Sequence, residues 1–216
     1  MKKRFLLQSI LLTLAAAGLC AWFYHGLPAS IPTHWNASGV ADGFSPRIGI
    51  FVYSGIMLAT IGAWCLLPAI SPRRFTVDDF APTWWQGGVM VVAFFGYVQC
   101  LHAWAAYAGG IDMGRAALAG LALLFAFTGN VMGKVRRNFW FGVRTPWTLA
   151  NERVWYATHR MAARSMVTGA ALALLLLLLR APSGWAIATL VASALLPAVW
   201  SLLYYKRLER RGALES

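Results

Sequence analysis

Two polar stretches, residues 25–47 and 133–160, interrupt an otherwise apolar chain and contain the candidate acid–base, metal-binding and anion-binding side chains. In chain order they are His34, Asn36, Asp42, Arg144, Glu152 and His159. An imidazole beside a carboxylate can transfer protons or help to hold a metal, and a guanidinium can hold a carboxylate or phosphate through two hydrogen bonds. The residues alone therefore raise acid–base, metal-binding and anion-binding chemistry as hypotheses.

The first stretch favours a structural or recognition role over metal binding. One His, one Asn and one Asp, without a further His or Cys, do not make a convincing metal site. Pro28 and Pro32 stiffen the approach to this stretch, and Asp42-Gly43 is typical of a turn. We expect an ordered outer loop whose polar groups either bond within the loop or form a recognition surface, with no metal and no cofactor.

The second stretch predicts a helix that runs into the following apolar segment. Thr145 suits the N-cap and Pro146 the first helical position, with Thr148 as an alternative cap. In that helix Glu152 and His159 share a face, as residues seven apart do. They could form a hydrogen-bonded acid–base pair, although such a pair more often orients a helix.

Arg144 is the strongest single candidate for anion binding in this stretch. Its guanidinium could bind a lipid phosphate, Glu152, or an acidic group of a partner. The sequence does not decide among these three partners.

The composition predicts that membrane helices hold these two stretches in place. The 216 residues are 59% hydrophobic and only 12% charged, whereas soluble domains average about 25% charged residues. Runs of about 20 apolar residues match the thickness of the hydrocarbon layer, and none alternates with the period of a barrel strand. The predicted spans are Phe5–Tyr24, Ile48–Leu67, Trp85–Tyr107, Ala116–Met132, Met161–Leu179 and Gly184–Tyr205. The predicted fold is an all-α integral membrane protein with six transmembrane helices, one ordered outer loop and one basic cytoplasmic loop.

The net charge of +12 follows from topology. With the N-terminus in the cytoplasm, every Lys and Arg falls on the cytoplasmic side except Arg47, Arg115 and Arg180. This asymmetry is the one that the positive-inside rule describes. We therefore expect a multi-pass membrane protein with both termini in the cytoplasm, which contacts membrane lipids and does not bind nucleic acid directly.

Two long motifs resemble the SdpI family of bacterial membrane proteins. The outer LPASIPTHWNASGVADGF is similar to that family's N-terminal module, LPxxIPxHWNxxGxxDG, and the inner GNVMGKVRRNFWFGVRTPWTLANERVWYATHR is similar to its C-terminal signature. The resemblance implies an N-terminal two-helix module at residues 1–70 and a C-terminal four-helix module at residues 71–216.

The resemblance also implies a function and a set of motif residues. The function is immunity of the membrane to a secreted peptide toxin, coupled in some members to signalling through capture of a transcriptional repressor at the cytoplasmic face. The outer motif residues are His34, Asn36, Gly39, Asp42 and Gly43. The cytoplasmic motif residues are Asn130, Lys134, Asn138, Gly142, Arg144, Thr145, Pro146, Trp147, Thr148, Glu152, Trp155, His159 and Arg160.

Two other classes of function are weaker alternatives. A small-solute or ion transporter usually needs ionisable residues deep in the membrane, and the most polar pair here is Gln99 with His102. A membrane enzyme would need a catalytic constellation, but no HExxH, GxSxG, P-loop or CxxC pattern is present. We therefore expect no enzymatic activity.

Overall fold

The computed structural model describes residues 1–36 and 39–214. Two residues of the outer motif, Ala37 and Ser38, thus lie outside the described part. The long helices are α1 (Lys2–Phe23), α2 (Val52–Leu66), α3 (Ala81–Ala108), α4 (Met113–Met132), α6 (Glu152–Leu178) and α7 (Ser183–Arg210). A one-turn helix, α5 (Pro146–Ala150), precedes α6, and short 3₁₀ turns extend α1, α2 and α3.

The prediction of six membrane helices is confirmed. Within the described residues, six helical segments are long and apolar enough to cross a bilayer. They are Lys2–Gly26, Arg47–Ile70, Asp78–Ala108, Met113–Met132, Glu152–Leu178 and Ser183–Arg210. Side chains such as Leu178, Leu203 and Trp185 are exposed, as expected where a helix faces lipid instead of a protein core. The chain is a multi-pass membrane protein.

The outer loop forms a β-hairpin, which the sequence analysis did not predict. Strand β1 (Ser30–Trp35) pairs antiparallel with β2 (Ala41–Pro46), with Ile31 opposite Ser45 and His34 opposite Gly43. The β-branched Ile31 is fully buried, whereas its neighbours in the strand are more exposed. One anchored apolar side chain thus fixes which face of the hairpin packs inward.

The chain divides into two compact units. The first unit comprises Met1–Leu66 and Trp85–Leu121, and it contains the hairpin. Its buried core joins Leu27 and Ile31 to Ala103 and Ala106 of α3. The predicted division at residue 70 concerns modules of the family and stays a prediction.

The second unit comprises Leu67–Trp84 and Ala122–Ser216, of which the structure describes residues up to 214. Its framework is the pair α6 and α7, whose contacting faces are built from small residues. Gly169 of α6 lies against Ser193 of α7, and the Ser165 hydroxyl donates to the Ser193 carbonyl at 2.9 Å. Small side chains allow helices to approach closely, which is how membrane helices associate without a hydrophobic driving force. This pair supports the basic loop, residues 133–151, which contains most of the cytoplasmic motif.

Candidate functional site: the basic loop and the outer hairpin

Asn138 is the hydrogen-bonding centre of the basic loop. Its side chain is fully buried, with 0% exposed. The carboxamide oxygen accepts from the backbone N–H groups of Trp140 and Phe141 at 2.8 and 2.7 Å. The carboxamide nitrogen donates to the carbonyls of Arg136 and Phe141, both at 2.8 Å. Only an amide can give two donors and accept twice here, so Asn138 fixes the turn from 136 to 141.

Trp155 and His159 form the buried wall on which the loop rests. Their rings stack with centroids 4.0 Å apart, and the exposed fractions of the two residues are 0% and 1%. The Trp155 indole N–H donates to the Val135 carbonyl at 2.9 Å. Two residues one turn apart on α6 therefore support the loop. Trp155 holds its start at Val135, and His159 contacts its middle at Val143.

The two hydrogen bonds of His159 determine its tautomer. The backbone N–H of Val143 can only donate, and it lies 3.1 Å from Nε2, which must therefore be the unprotonated acceptor. The proton is on Nδ1, which donates to the Trp155 carbonyl at 2.8 Å. A doubly protonated ring would lose the bond to Val143. This geometry makes His159 a neutral structural ligand of the backbone.

Gly142 is required by this same contact. Its φ of 113° lies in a region that side chains with a Cβ seldom adopt. A Cβ at this position would also overlap the His159 ring. The motif residues Gly142 and His159 therefore form one unit, in which the loop backbone passes directly over the imidazole.

The predicted N-cap at Thr145 is confirmed. Its hydroxyl accepts from the Thr148 N–H at 3.2 Å, and the Thr148 hydroxyl accepts from the Thr145 N–H at 2.9 Å. The pair makes a reciprocal capping box with Pro146 in the first turn, while Trp147 is half-buried. The Thr145 hydroxyl also lies 2.9 Å from that of Ser201, which ties the box to α7.

The helix that begins at Pro146 does not continue into the fifth span, contrary to the prediction. It ends at Ala150, and Asn151 adopts an extended conformation with φ of −136°. The Asn151 carboxamide oxygen then caps α6 by accepting from Val154 N–H at 3.1 Å. A residue that caps a new helix cannot also be inside the preceding one, so α5 and α6 are separate.

Glu152 and His159 take different partners, and the suggested acid–base pair is not formed. Glu152 is exposed and accepts a hydrogen bond from the Tyr156 hydroxyl at 3.0 Å. His159 is buried and bonded to the backbone, as described above. Both residues lie on α6, but Glu152 is bonded to Tyr156 one turn further along the helix, whereas His159 is bonded to the backbone of Trp155 and Val143.

Arg144 lies on the surface of the loop. Its Nη1 donates to the Phe139 carbonyl, and its guanidinium lies 6.0 Å from the centroid of the Phe139 ring. This bond closes the segment from 139 to 144, while the residue is exposed. The remaining charged or amide motif residues of this region, Asn130, Lys134 and Arg160, are exposed as well.

The outer motif residues gather at the tip of the hairpin. His34 Nδ1 and Asp42 Oδ1 lie 2.5 Å apart, with side chains 72% and 46% exposed. Gly43 lies opposite His34, and a Cβ on Gly43 would come within 2.8 Å of the His34 Cβ. The Asn36 carboxamide accepts from Val40 N–H at 3.0 Å, and Gly39 N–H donates to the Asn36 carbonyl at 2.9 Å.

The polar residues that suggested transport are bonded within the first unit. The Gln99 carboxamide nitrogen donates to the Ser54 hydroxyl at 2.8 Å and lies 3.2 Å from the Cys20 sulfur. His102 Nε2 lies 2.8 Å from the carbonyl of Pro32, so α3 holds the first strand of the hairpin. Within the described residues, no group of three or more His, Cys, Asp or Glu side chains is placed to hold a metal ion.

A polar cleft beside the basic loop was missed in the sequence analysis. It has a volume of about 460 Å³ and is lined by Asp79, Arg136, Arg137, Glu152 and Tyr156. Arg136 Nη1 donates to the Tyr156 hydroxyl at 2.8 Å, and this bond, with the nearby Glu152 and Asp79 charges, raises the pKa of Arg136. The i, i+4 spacing of Glu152 and Tyr156 was the available sequence signal, but the distant Asp79 gave none.

The fold and this loop define a class of protein: a multi-pass helical membrane protein with a buried polar framework under a basic loop. Residues 134–205 match the model of the SdpI/YfhL protein family, and residues 11–58 match that of a domain of unknown function (DUF1648). The chain is 26% identical over 144 residues to the immunity protein SdpI of Bacillus subtilis (strain 168), an alignment covering 67% of each chain. No solved structure matches the chain.

These matches support the SdpI resemblance that was inferred from the basic segment. All cytoplasmic motif residues except Asn130 lie between residues 134 and 205, and the hairpin lies between residues 11 and 58. The specific N-terminal motif LPxxIPxHWNxxGxxDG stays a prediction.

Proposed function

We propose that this chain is an SdpI-family protein that protects a bacterial cytoplasmic membrane from a secreted peptide toxin. The observation that carries this proposal is the family match over residues 134–205. Within this range the buried motif residues Asn138, Trp155 and His159 hold the basic loop through hydrogen bonds to its backbone. Similarity to an immunity protein over 144 residues agrees with the proposal. The distribution of Lys and Arg supports an orientation with both termini in the cytoplasm and the hairpin outside.

The hairpin is the proposed recognition surface for the toxin. His34 and Asp42 present an exposed polar pair, and Val40 and Phe44 beside them are 60% and 61% exposed. A surface that combines exposed apolar and polar groups suits an amphipathic peptide arriving at the membrane. The shape of the tip depends on the turn at Asn36 and Gly39 and on the close pairing of Gly43 with His34.

The basic loop is the proposed contact for a cytoplasmic partner, such as a transcriptional repressor. The motif residues of the loop and of the adjoining first turns of α6 divide into two groups with different roles. The buried residues Asn138, Trp155 and His159 set the loop's shape. The exposed residues are the candidates for contact with a partner, and they include Lys134, Arg144, Glu152 and Arg160.

We further propose that the protein acts by binding and not by catalysis. His159, the main acid–base candidate, uses both ring nitrogens to hold backbone groups. Its neutral ring has no remaining nitrogen with which to take up a substrate proton.

The test is survival and membrane potential of a sensitive bacterium challenged with a family-type peptide toxin. Cells would express the intact chain, Arg144→Ala, His34→Ala with Asp42→Ala, or the control Arg207→Ala, at equal membrane abundance. Arg207 is an exposed basic residue in the last turn of α7 and is outside both motifs.

Protection by the intact chain and the control, lost in the Arg144 variant, would support the role of the loop. Loss only in the hairpin variant would place recognition outside. Unchanged protection by both motif variants would contradict this assignment of sites, and no protection by the intact chain would contradict immunity to that class of toxin.

A further inference from the structure

The polar cleft of the second unit contains equal numbers of positive and negative side chains. Arg136 and Arg137 provide two guanidinium groups, and Asp79 and Glu152 provide two carboxylates, within a volume of about 460 Å³. A volume of this size accommodates a small ligand. The family motif includes only Glu152 among these four residues, so the cleft is not accounted for by the motif.

The cleft lies at one membrane boundary. Asp79 is at the start of the third span, Arg136 follows the end of the fourth, and Glu152 begins the fifth. Successive spans cross in opposite directions, so these three points are on the same side of the bilayer. Lipid headgroups are therefore the charged molecules present at the highest local concentration beside this cleft.

The guanidinium groups are held in place but keep donors for a ligand. Arg136 has five N–H donors and uses one on the Tyr156 hydroxyl, while its guanidinium lies 5.2 Å from the centroid of that ring. Arg137 Nη1 donates to the Leu149 carbonyl at 3.4 Å, and the Arg137 guanidinium carbon lies 5.9 Å from the centroid of the Phe75 ring. Two such anchored guanidinium groups suit the oxygens of a phosphate.

The two carboxylates determine which class of phosphate-containing headgroup binds the cleft more tightly. A purely anionic headgroup would gain from the two arginines but would be repelled by Asp79 and Glu152. A zwitterionic headgroup places a phosphate and an ammonium in the same ligand and satisfies both charges. A primary ammonium also donates hydrogen bonds to carboxylates, which a quaternary choline cannot do.

We propose that this cleft binds the headgroup of phosphatidylethanolamine, with the phosphate on Arg136 and Arg137 and the ammonium on Asp79 and Glu152. Binding would attach the start of α6 to the lipid surface next to the basic loop. This inference concerns lipid recognition and does not depend on the toxin or on the proposed immunity.

The test is a titration of the purified full-length protein in detergent with dioleoyl phosphatidylethanolamine, phosphatidylcholine or phosphatidylglycerol, with bound lipid measured by native mass spectrometry. We expect the ethanolamine lipid to bind about threefold to fivefold more tightly than the other two, the size expected for one exposed ion pair. Equal binding of all three, or tightest binding of phosphatidylglycerol, would overturn the proposal.

Two variants test the two halves of the site. Arg136→Gln should weaken binding of both the ethanolamine and the glycerol lipid. Asp79→Asn should weaken only the ethanolamine lipid, by about threefold, and leave phosphatidylglycerol equal or tighter. Loss of ethanolamine selectivity in Arg207→Gln or Glu209→Gln, exposed charges of α7 outside the cleft, would contradict the assignment.

Soluble phosphoethanolamine distinguishes a lipid site from a site for a free metabolite. It should displace the bound lipid only at far higher concentration, because it lacks the acyl chains that the bilayer or micelle holds beside the cleft. Displacement at the same concentration as the lipid would overturn the lipid assignment. Because all the substituted cleft residues are exposed or half-exposed, the variants should retain the thermal stability of the intact protein, which is measured in parallel.

Discussion

At the scale of single residues, main-chain hydrogen bonding explains the buried polar side chains in the basic loop and in the part of α6 that supports it. Asn138 bonds two N–H and two C=O groups, and His159 bonds one of each. Backbone groups that a loop buries must find hydrogen-bond partners within the protein, and here side chains provide them. These residues are therefore needed for the loop's shape, before any role in binding.

Substituting Gly142 tests the contact between the loop and His159. Gly142→Ala should lower the free energy of unfolding by about 2 kcal/mol, because alanine is strained at a φ of 113° and its Cβ overlaps the imidazole. The thermal midpoint of the purified protein in detergent measures this loss. Gly133→Ala is the matched control, since a Cβ there meets no atom within 4 Å. Equal midpoints for the two variants would contradict the proposed contact.

Replacing Asn138 by its isosteric acid tests the amide requirement. Asn138→Asp removes the donor to the Arg136 and Phe141 carbonyls and buries a carboxylate, so we expect a loss of about 3 kcal/mol. Thermal stability in detergent checks this as well. Asn130→Asp changes the same chemistry at an exposed position and should have little effect. A fully stable Asn138 variant would show that the loop does not depend on the amide.

At the scale of elements, the break between α5 and α6 decides what the basic loop presents. Thr145 caps the start of α5, and Asn151 both ends α5 and caps the start of α6. As a result Trp155 and His159 are buried beneath the loop, while Glu152 is exposed beside the cleft. In the continuous helix that periodicity predicted, Glu152 would have been an interior residue and not the first residue of α6.

The cap at Asn151 can be tested with two substitutions. Asn151→Ala should destabilise the protein by about 1 kcal/mol, because Val154 N–H loses its acceptor. Asn151→Asp keeps an acceptor and places a negative charge at the helix N-terminus, so it should lose less. The comparison is made by thermal unfolding in detergent. If both lost the same amount, the hydrogen bond from Asn151 to the Leu214 carbonyl would be the important contact instead.

At the scale of the whole molecule, the composition and charge distribution determine how the chain meets the bilayer. If the six apolar helices of the described residues all cross the bilayer, both chain ends lie on the same side. The few basic residues near the hairpin and the many near the basic loop then indicate which side is cytoplasmic. This orientation is the basis for assigning toxin recognition to the hairpin.

Reporter fusions in a bacterial host test that orientation. A fluorescent protein fused after Ser216 should fluoresce, and alkaline phosphatase at the same position should be inactive, because the C-terminus is expected in the cytoplasm. Alkaline phosphatase inserted between Ser38 and Gly39 should be active. Activity at both positions would contradict an even number of spans, and the reverse pattern would invert the proposed assignment of the two loops.

Local sequence was sufficient to predict the membrane helices, their number and the position of the two motif-bearing loops. Each of these depends on local properties, since 20 apolar residues suffice to span the bilayer. The Thr145 cap was predictable for the same reason, because a capping residue acts on neighbours within one turn. The break at Asn151 was not, because Asn is also tolerated within helices and its cap becomes visible only with the backbone.

Tertiary contacts determine which motif residues are buried, which tautomer His159 adopts and where the polar cleft lies. Each depends on groups far apart in the sequence, such as Val143 above His159 or Asp79 beside Arg136. The hairpin could not be predicted from local sequence alone, because β1 is held by a hydrogen bond between the Pro32 carbonyl and His102 of α3. Local patterns specify helices, whereas hydrogen bonds between distant segments assign each polar residue its partner.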